Sequence, residues 1–535
     1  MNTERSPSTA EPTPLPNDVP TLHAMIRELL DSLQKTRHDY EGVQQRLDLL
    51  LRKLYGPKAE RFDPNQPWLL PEMAPDAAAD TVEPRKEDAP KEESASDDAT
   101  PQRKGHGRKP LPRDLPRRRV EHTRAEAERV CPCCNKVCVK FGEDVSEQLD
   151  YQPASLFVWQ HVRFKYACPD CHDHLTVGHA PIAVINKGLP GPGLLAQIAA
   201  SKYADHLPLH RLERILGRHG IELSRSTMCD WMAHVAMLLE PVVQLMATLV
   251  RQSKVIHTDA TKMPFLDPRT PGQALSGQMW VYVGDRDHPF DLFHFWRDHS
   301  GAGIDAFLLD HHYRGCLNAD ALNVYDHLFR SGAITEIGCW AHCRRNFYDA
   351  KDSDPARAHV VLGHIRQLYA IEAKARDQIA EQKRTGVEAD ALRLKLRQET
   401  ALAELTTLHN WLQAEHPKVL PKSLMGQAVA YALRHWQALT RFVDDGFLAI
   451  DNNVAERTLR HIAIGRKNWL FAGSAKGAQT AATLFSITSS CHRHRIDAFA
   501  YLQDILQRLA AQPHPAADHL RAWLPDRWTP PQTNS

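Results

Sequence analysis

Apolar residues recur in alternating steps of four and three along Leu22, Ile26, Leu29, Leu33, Thr36, Tyr40, Val43, Leu47, Leu50 and Leu54. A seam of that period, kept for more than four heptads, predicts a coiled coil and with it self-association. A single amphipathic helix lying on another domain is the alternative, and Thr36 and Tyr40 weaken the middle of the seam. Between Leu156 and Tyr166 the pattern partly alternates apolar with polar, which predicts a strand. Residues 188–250 read as helices. One spans Leu194 to Tyr203, a second spans Leu209 to Leu216 and stops at His219-Gly220, and a third starts at Ser224. A Gly-containing turn followed by a Ser/Thr-capped helix that opens with Arg225, Ser226 and Thr227 is the helix-turn-helix layout, in which those three side chains reach DNA. An ordinary helical bundle is the competing reading.

The texture changes between residues 254 and 350. Lys254-Val-Ile-His-Thr-Asp259 predicts a strand ending in an acid. Gln278–Gly284 and Phe290–Trp296 predict two more strands, joined by the turn Asp285-Arg-Asp-His-Pro289. A helix over Gly303–Asp310 follows, then a strand over Gly315–Asp320 that again ends in an acid. A short helix over Tyr325–Phe329 leads to a strand over Ile334–Trp340 and a helix over Ala341–Ala350. The order β-β-β-α-β-α-β is that of a ribonuclease-H-like sheet, three antiparallel strands followed by parallel ones reached through crossovers. Residues 351–447 are helical and polar, an insertion into that core. A further helix starts near Asp451 or Asn452, Phe499–Leu509 predicts a short amphipathic helix, and from Pro513 onward the pattern is a Pro-rich tail with Trp523 and Trp528.

Composition adds a charge map. The 535 residues carry a net charge of only +1, unevenly spread. Residues 1–20 are polar and Pro-rich, which predicts disorder, and residues 71–101 form an acidic linker. Arg103–Arg119 then holds eight basic residues and one acid, with Gly and Pro breaking any helix. Its core, Lys104-Gly-His-Gly-Arg-Lys-Pro110, looks like an AT-hook arm, with Arg103, Lys104, Arg108 and Lys109 as DNA contacts in a minor groove. A basic tail that only meets phosphates is equally compatible. No apolar run of membrane-spanning length and no signal-peptide core stand out. The expected location is the cytoplasm, where structural disulfides are uncommon.

Six of the eleven cysteines fall between Cys131 and Cys171. Cys131-Pro-Cys-Cys134 and Cys168-Pro-Asp-Cys171, 33 residues apart, make two C-x-x-C knuckles, which suits a closed, structural tetrahedral Zn²⁺ site on Cys131, Cys134, Cys168 and Cys171. Cys133 and Cys138 are left over.

In the expected sheet the first and fourth strands are neighbours, so Asp259 and Asp320 lie side by side. Two carboxylates pressed together are costly unless a cation neutralises them. Two Mg²⁺ (or Mn²⁺) ions between them would activate a water or hydroxyl for in-line displacement at phosphorus. Downstream, Leu448–Ser474 places Glu456 among Arg457, Arg460, Arg466 and Lys467, an acid for a metal with cations for phosphates. Arg460 and Lys467 are the candidate phosphate contacts, and Asp451 reads as a helix cap.

In this order, these features make the chain resemble the transposases of the insertion sequence 66 family of bacterial mobile elements, over roughly residues 21–525. The motifs that carry the resemblance are Gly142-Glu-Asp-Val-Ser-Glu-Gln-Leu-Asp150 with its flanking cysteines, Gly338-Cys-Trp-Ala-His-Cys-Arg-Arg345, Asp451-Asn-Asn-Val-Ala-Glu-Arg457, and Gly465-Arg-Lys-Asn-Trp-Leu-Phe-Ala-Gly-Ser474. Leu51–Arg61 resembles the end of the family's leucine-zipper segment. The resemblance implies a DDE triad, which falls on Asp259, Asp320 and Glu456, a helical insertion between the second and third acids, and two small accessory proteins as partners. In the family an acid usually follows the first Asp; here Ala260 stands there.

The expected class is a multidomain α+β protein: a ribonuclease-H-like catalytic core interrupted by a helical insertion, preceded by coiled-coil, zinc-binding and helix-turn-helix modules. The expected boundaries are 1–20 disordered, 21–62 coiled coil, 63–127 linker and basic arm, and 128–180 zinc domain. They continue with 188–250 helix-turn-helix, 251–350 and 448–490 catalytic core, 351–447 insertion and 491–535 C-terminal helix and tail. The expected activity is DNA cleavage and strand transfer at the terminal inverted repeats of a mobile element, by a nucleoid-associated homo-oligomer. A non-catalytic zinc and helix-turn-helix regulator, or a nuclease that cuts without joining, are the alternatives.

Overall fold

The structure, a computed structural model, describes residues 18–33, 36, 40, 43, 111, 113, 115–152, 155–168, 175–186 and 188–531. The expected DNA contacts Arg103, Lys104, Arg108 and Lys109, the zinc ligand Cys171 and the seam residues Leu47, Leu50 and Leu54 lie outside the described residues. The chain divides into two compact units, one of residues 1–89 and 342–434, the other of residues 90–341 and 435–535.

Residues 19–33 form helix α1, and positions 36, 40 and 43 are helical as well. The seam residues Ile26, Leu29 and Leu33 are exposed.

The larger unit begins with a four-stranded sheet of β1 (Arg117–His122), β2 (Val139–Gln152), β3 (Ser155–Ala167) and β4 (Leu175–Val177). β3 is its centre, parallel to β1 and antiparallel to β2 and β4. Three helices follow: α2 (Pro192–Tyr203), α3 (Leu209–Gly217) and α4 (Arg225–Val250). By length and composition α4 could cross a membrane, which corrects the expectation that no such run exists. It is a core helix: Met228, Met232, Val235, Leu239, Val242, Met246 and Val250, spaced by three and four, are buried in the main hydrophobic cluster.

A five-stranded mixed sheet comes next, from β5 (Val255–Leu266), β6 (Ala274–Val283), β7 (Asp291–Trp296), then α5 (Ala302–Leu308), β8 (Gly315–Asn318), α6 (Asp326–Phe329) and β9 (Ile334–Ile337). The strand order is β7-β6-β5-β8-β9. β5, β6 and β7 are antiparallel neighbours, whereas β8 and β9 run parallel to β5. β8 and β9 stop at Asn318 and Ile337, so Asp320 lies two residues past its strand, in the loop that starts α6's approach.

The smaller unit contains most of α7 (Trp340–Ala350), then α8 (Pro355–Glu381), α9 (Gly386–Leu396), α10 (Leu402–Glu415) and α11 (Leu424–Arg434). Asp354 caps α8 by accepting from the Arg357 amide at 3.2 Å, ahead of Pro355 at the first helical position. Between α9 and α10, Arg397–Ala401 winds as a π-helix. Arg397, 1% exposed, meets the Glu372 carboxylate in a two-pronged pair at 2.6 and 2.9 Å.

The larger unit resumes with α12 (Trp436–Thr440), α13 (Asn453–Trp469), α14 (Ala475–Arg493), α15 (Ala498–Ala511) and α16 (Ala517–Ala522). α14 guards the edge of the mixed sheet. Its Ser490 and Ser486 hydroxyls accept from the Asp291 and Phe293 amides of β7 at 3.0 and 2.8 Å, satisfying donors that an edge strand otherwise leaves to another chain. The segment after Pro513 is not a bare tail. It holds α16, Trp523 is buried with its carbonyl accepting from the Tyr501 hydroxyl at 3.0 Å, and the Trp528 indole donates to Asp504 at 2.6 Å.

Candidate functional site

β5 is the strand on which the site is built. It pairs with β8 in register Val255 with Cys316, Ile256 with Leu317 and His257 with Asn318. Asp259 and Asp320 each lie two residues beyond the last of these pairs, but only Asp320 follows the end of its strand. Asp259 sits within β5, which runs on to Leu266 against β6 and so does not end in the acid as its sequence suggested. Adjacent strands lie about 4.8 Å apart. Ala321, in the left-handed region at φ 58°, turns the chain away directly after Asp320. Both carboxylates bear on the buried Tyr325, whose hydroxyl is held well above its ordinary range, first by burial and then by the charges of Asp320 and Asp259. Both acids are half-buried.

Two buried asparagines bring the third acid to this sheet. The Asn452 side-chain amide donates to the Thr258 carbonyl at 2.7 Å, and its oxygen lies 3.2 Å from His257 Nδ1. Since Asn452 Oδ1 can only accept, His257 Nδ1 carries the proton. Burial pushes the His257 pKa down to about 4, so the ring is neutral. The Asn452 amide donates to Cys339 Sγ at 3.2 Å, and Asn318 Nδ2 donates to the Asp451 carbonyl at 3.1 Å. Asn452, Asn318 and Thr258 are all fully buried. The N-terminus of α13 is thereby pinned beside the part of β5 that carries Asp259 and the end of β8 that precedes Asp320. Glu456, half-buried, stands about one helical turn further along. Asp451 does not cap α13 from the N-cap position, which Asn452 occupies. Its carboxylate instead receives the Asn453 backbone and side-chain amides at 3.1 and 2.8 Å, a turn that leads into the helix.

The far end of α13 is fastened to β5 as well. Arg466 Nη1 reaches Thr261 Oγ1 at 3.2 Å and the Lys262 carbonyl, so Arg466 is a structural tie as well as a cation. Arg460 and Lys467 are exposed on the same helix. Arg225, Ser226 and Thr227 gather elsewhere, at the start of α4. There Ser224 Oγ accepts from the Thr227 amide at 3.2 Å and lies within 2.9 Å of both neighbouring hydroxyls, and Arg225 pairs with Glu213 at 3.6 Å. The hydroxyls of Ser226 and Thr227 therefore already serve the helix cap, although the residues around it are exposed.

Sequence reasoning missed Asn318, Asn452, His257, Thr258 and Tyr325. The signal available was polar residues next to each strand-end acid and a doublet of asparagines before a helix. Their partners lie up to 195 residues away, which no local pattern reveals.

In the four-stranded sheet, Cys131, Cys134 and Cys168 bring their sulfurs within 4.8 Å of one another, with Cys134 and Cys168 3.0 Å apart. Asn135, at φ 58°, supplies the tight turn of the first knuckle, where its amide donates to the Cys131 carbonyl at 2.9 Å. The Cys134 thiol is pushed up to about 12, first by its bond to Cys168, so it holds its proton until a cation replaces it. Three soft donors around one point fit zinc. Cys138, set aside in the sequence, is buried in the same cluster. Asp259, Asp320 and Glu456 offer carboxylate oxygens, the donors a hard divalent cation such as Mg²⁺ takes, while the sulfur of Cys339 also lies within 4.8 Å of the Glu456 carboxylate.

Residues 187–480, which contain all three acids, match the Transposase IS66 family. The chain belongs to that family. Residues 128–172 match the zinc-finger binding domain of transposase IS66, and with the cysteine cluster this supports a structural zinc site. Residues 43–120 match the domain described as Transposase C of IS166 homeodomain. Among similar proteins of Sinorhizobium fredii, uncharacterized protein y4hP is 33% identical over 437 residues, 79% of this chain and 77% of its own length. Uncharacterized protein y4qI is 35% identical over 419 residues, 76% of this chain and 75% of its own length. The family membership supports a transposase-type enzyme that binds DNA.

Proposed function

We propose that this IS66-family chain is a DDE-type DNA transposase, with a ribonuclease-H-like core, that cuts at the terminal inverted repeats of a mobile element and joins the freed 3′-hydroxyl to target DNA. The observation that supports the reading is that the three elements bearing the acids, β5, the end of β8 and the start of α13, meet. Asp259, within β5, and Asp320, past the end of β8, each stand two residues beyond the last pair of these parallel neighbours, and Asn452 ties the start of the helix that bears Glu456 to Thr258, next to Asp259. Two bound Mg²⁺ or Mn²⁺ ions would activate the attacking oxygen and stabilise the leaving one. Asp259, Asp320 and Glu456 would hold them. The chain's own task is to bring three carboxylates together, a reading the buried clamp of Asn318 and Asn452 supports, and to orient the DNA. Arg460 and Lys467 supply cations for phosphates beside Glu456. Arg103, Lys104, Arg108 and Lys109 in the basic arm, and the exposed start of α4 at Arg225, Ser226 and Thr227, extend that contact along the duplex. Cys171 completes the zinc site. The exposed seam of α1 fits self-association through the N-terminal coiled coil, with accessory proteins of the same element as further partners. The place of action is the bacterial nucleoid in the cytoplasm.

The test is cleavage and strand transfer with purified full-length protein, duplex bearing the element end, and Mg²⁺ or Mn²⁺. Asp259→Asn, Asp320→Asn and Glu456→Gln are each expected to abolish joining of a precut 3′-hydroxyl end while end binding persists. Joining by the Glu456 variant overturns the assignment of the third acid. Specific binding without any nicking by the wild type identifies a regulator, and cutting without joining identifies a nuclease.

A further inference from the structure

The turn between α13 and α14 is built in an unusual way. Trp469 folds back over Gly465, where its indole nitrogen lies 2.7 Å from the point a Cβ would occupy, so the helix ends against its own side chain. The chain then reverses at Leu470, whose φ of 64° and ψ of −51° are costly for a branched aliphatic residue. The Phe471 amide donates to the Trp469 carbonyl at 2.8 Å, closing the rare, strained form of γ-turn. Neither Leu470 nor Phe471 uses this strain to reach a core: they are 64% and 42% exposed. The turn is nonetheless held firmly. The Ala472 amide donates to the Pro264 carbonyl at 2.8 Å, and the Leu266 amide donates to the Ala472 carbonyl at 3.0 Å, so the turn is stitched to the far end of β5. Ser474 caps α14 by accepting from the Gly477 amide at 3.0 Å.

Charge shows what such a rigid apolar tip is for. From Arg457 to Ile496 the sequence contains no acidic residue, while Arg457, Arg460, Lys467 and Lys476 are exposed on the two helices that flank the turn. An exposed leucine and phenylalanine framed by cations match a duplex. Phosphates lie on the outside, and the apolar faces of stacked bases lie within. Proteins that insert apolar side chains between base steps unstack and bend the duplex. Strain stored in a backbone persists where the surrounding structure enforces it, and functional sites are where it concentrates.

We propose that Leu470 and Phe471 form a wedge that enters duplex DNA at a base step about 20 Å along α13 from Glu456, on the order of six base pairs from the phosphodiester presented to Asp259, Asp320 and Glu456. The wedge unstacks that step so that the scissile strand can bend into the carboxylate site. This inference rests on the transposase reading above. Leu470 and Phe471 are positioning residues that act on the DNA and not on the reacting atoms.

The experiment uses full-length protein, and element-end duplex with 2-aminopurine placed in turn at each base within about ten base pairs of the cleaved phosphate. Ca²⁺ replaces Mg²⁺ so that nothing is cut. The wild type is expected to raise the fluorescence at one step. Leu470→Asn and Phe471→Ala are expected to lose that rise and to cut fully paired ends about tenfold more slowly, the scale of one lost unstacking contact. A mismatch or abasic site at that step is expected to restore their cutting. Leu470→Gly, which relaxes the turn, is expected to melt no lower than the wild type yet to lose the fluorescence, which separates the wedge from a folding role. The wedge is overturned if the wild type unstacks no base, if the variants keep the signal, or if a mismatch does not restore their cutting. Failure of the wild type to cut either paired or mismatched ends in Mg²⁺ or Mn²⁺ instead overturns the transposase reading, while the fluorescence still decides the wedge.

Discussion

Replacing Asn452 by alanine tests the clamp that brings α13 to β5. The side chain is fully buried and makes two contacts across the fold, a donated bond to the Thr258 carbonyl at 2.7 Å and an accepted one from His257 Nδ1 at 3.2 Å. Asn452→Ala leaves both partners without it. A buried group stripped of its partner costs about 1–3 kcal/mol, so the pair costs about 2–5 kcal/mol, with His257 at the lower end because it is only half-buried. At about 2.1 cal/mol/K of unfolding entropy per residue, a unit of roughly 350 residues loses about 1.3 °C per kcal/mol, so the larger unit is expected to melt about 3–7 °C lower. Asn452→Asp is expected to be worse than alanine. A carboxylate cannot donate to Thr258, it sets an oxygen against the carbonyl, and it buries a charge. Scanning calorimetry of the metal-free, full-length protein measures both. The clamp reasoning fails if Asn452→Ala melts within about 1 °C of the wild type, or if Asn452→Asp melts above Asn452→Ala.

Two further outcomes follow from other parts of the molecule. Zinc affinity, measured by competition with a chromophoric chelator, is expected to fall as pH is lowered, because the Cys134 thiol is pushed up to about 12 and zinc must displace protons from the cluster. Cys131→Ser or Cys168→Ser is expected to unfold the four-stranded sheet on chelation-like loss of the ion, and an affinity that is flat with pH would contradict the thiol ligands. In the smaller unit, Glu372→Ala is expected to destabilise by about 3–5 kcal/mol, because it strands the guanidinium of Arg397 at 1% exposure. Arg397→Met with Glu372→Leu is expected to recover most of that loss in urea denaturation, and a double variant no more stable than the single one would refute the account.

What could be read from the chain depended on how local the cause was. The strand order around Asp259 and Asp320 was legible because each strand declares itself in a few residues, and because chain connectivity allows few ways to pair three antiparallel strands with two parallel ones. The cysteine knuckles were legible for the same reason: a ligand pair two residues apart needs no fold to be recognised. Limits appeared where a residue's meaning is set by a distant neighbour. Asp451 had the composition of a helix cap, yet Asn452 occupies the cap position and spends its side chain on Thr258, while Asp451 serves a turn. The segment after Pro513 had the composition of a tail, yet Trp523 and Trp528 find Tyr501 and Asp504 on α15. Arg466 looked like one more cation beside Glu456, and the fold ties it to Thr261.

By itself the sequence determined the inventory: the heptad seam, the closely spaced cysteines, the acids of the mixed sheet, and an acid-free basic stretch after Glu456. Those depend on periodicity, spacing and charge, which the chain carries wherever it goes. Tertiary structure alone decided which members of that inventory meet. Asn318 and Asn452 join strand ends to a helix more than a hundred residues away, and the γ-turn at Leu470 holds an apolar tip in solvent at the end of that helix. Such contacts arise only after the sheet has formed, because the groups they satisfy are backbone carbonyls and buried polar atoms that exist as unmet needs only in the folded core.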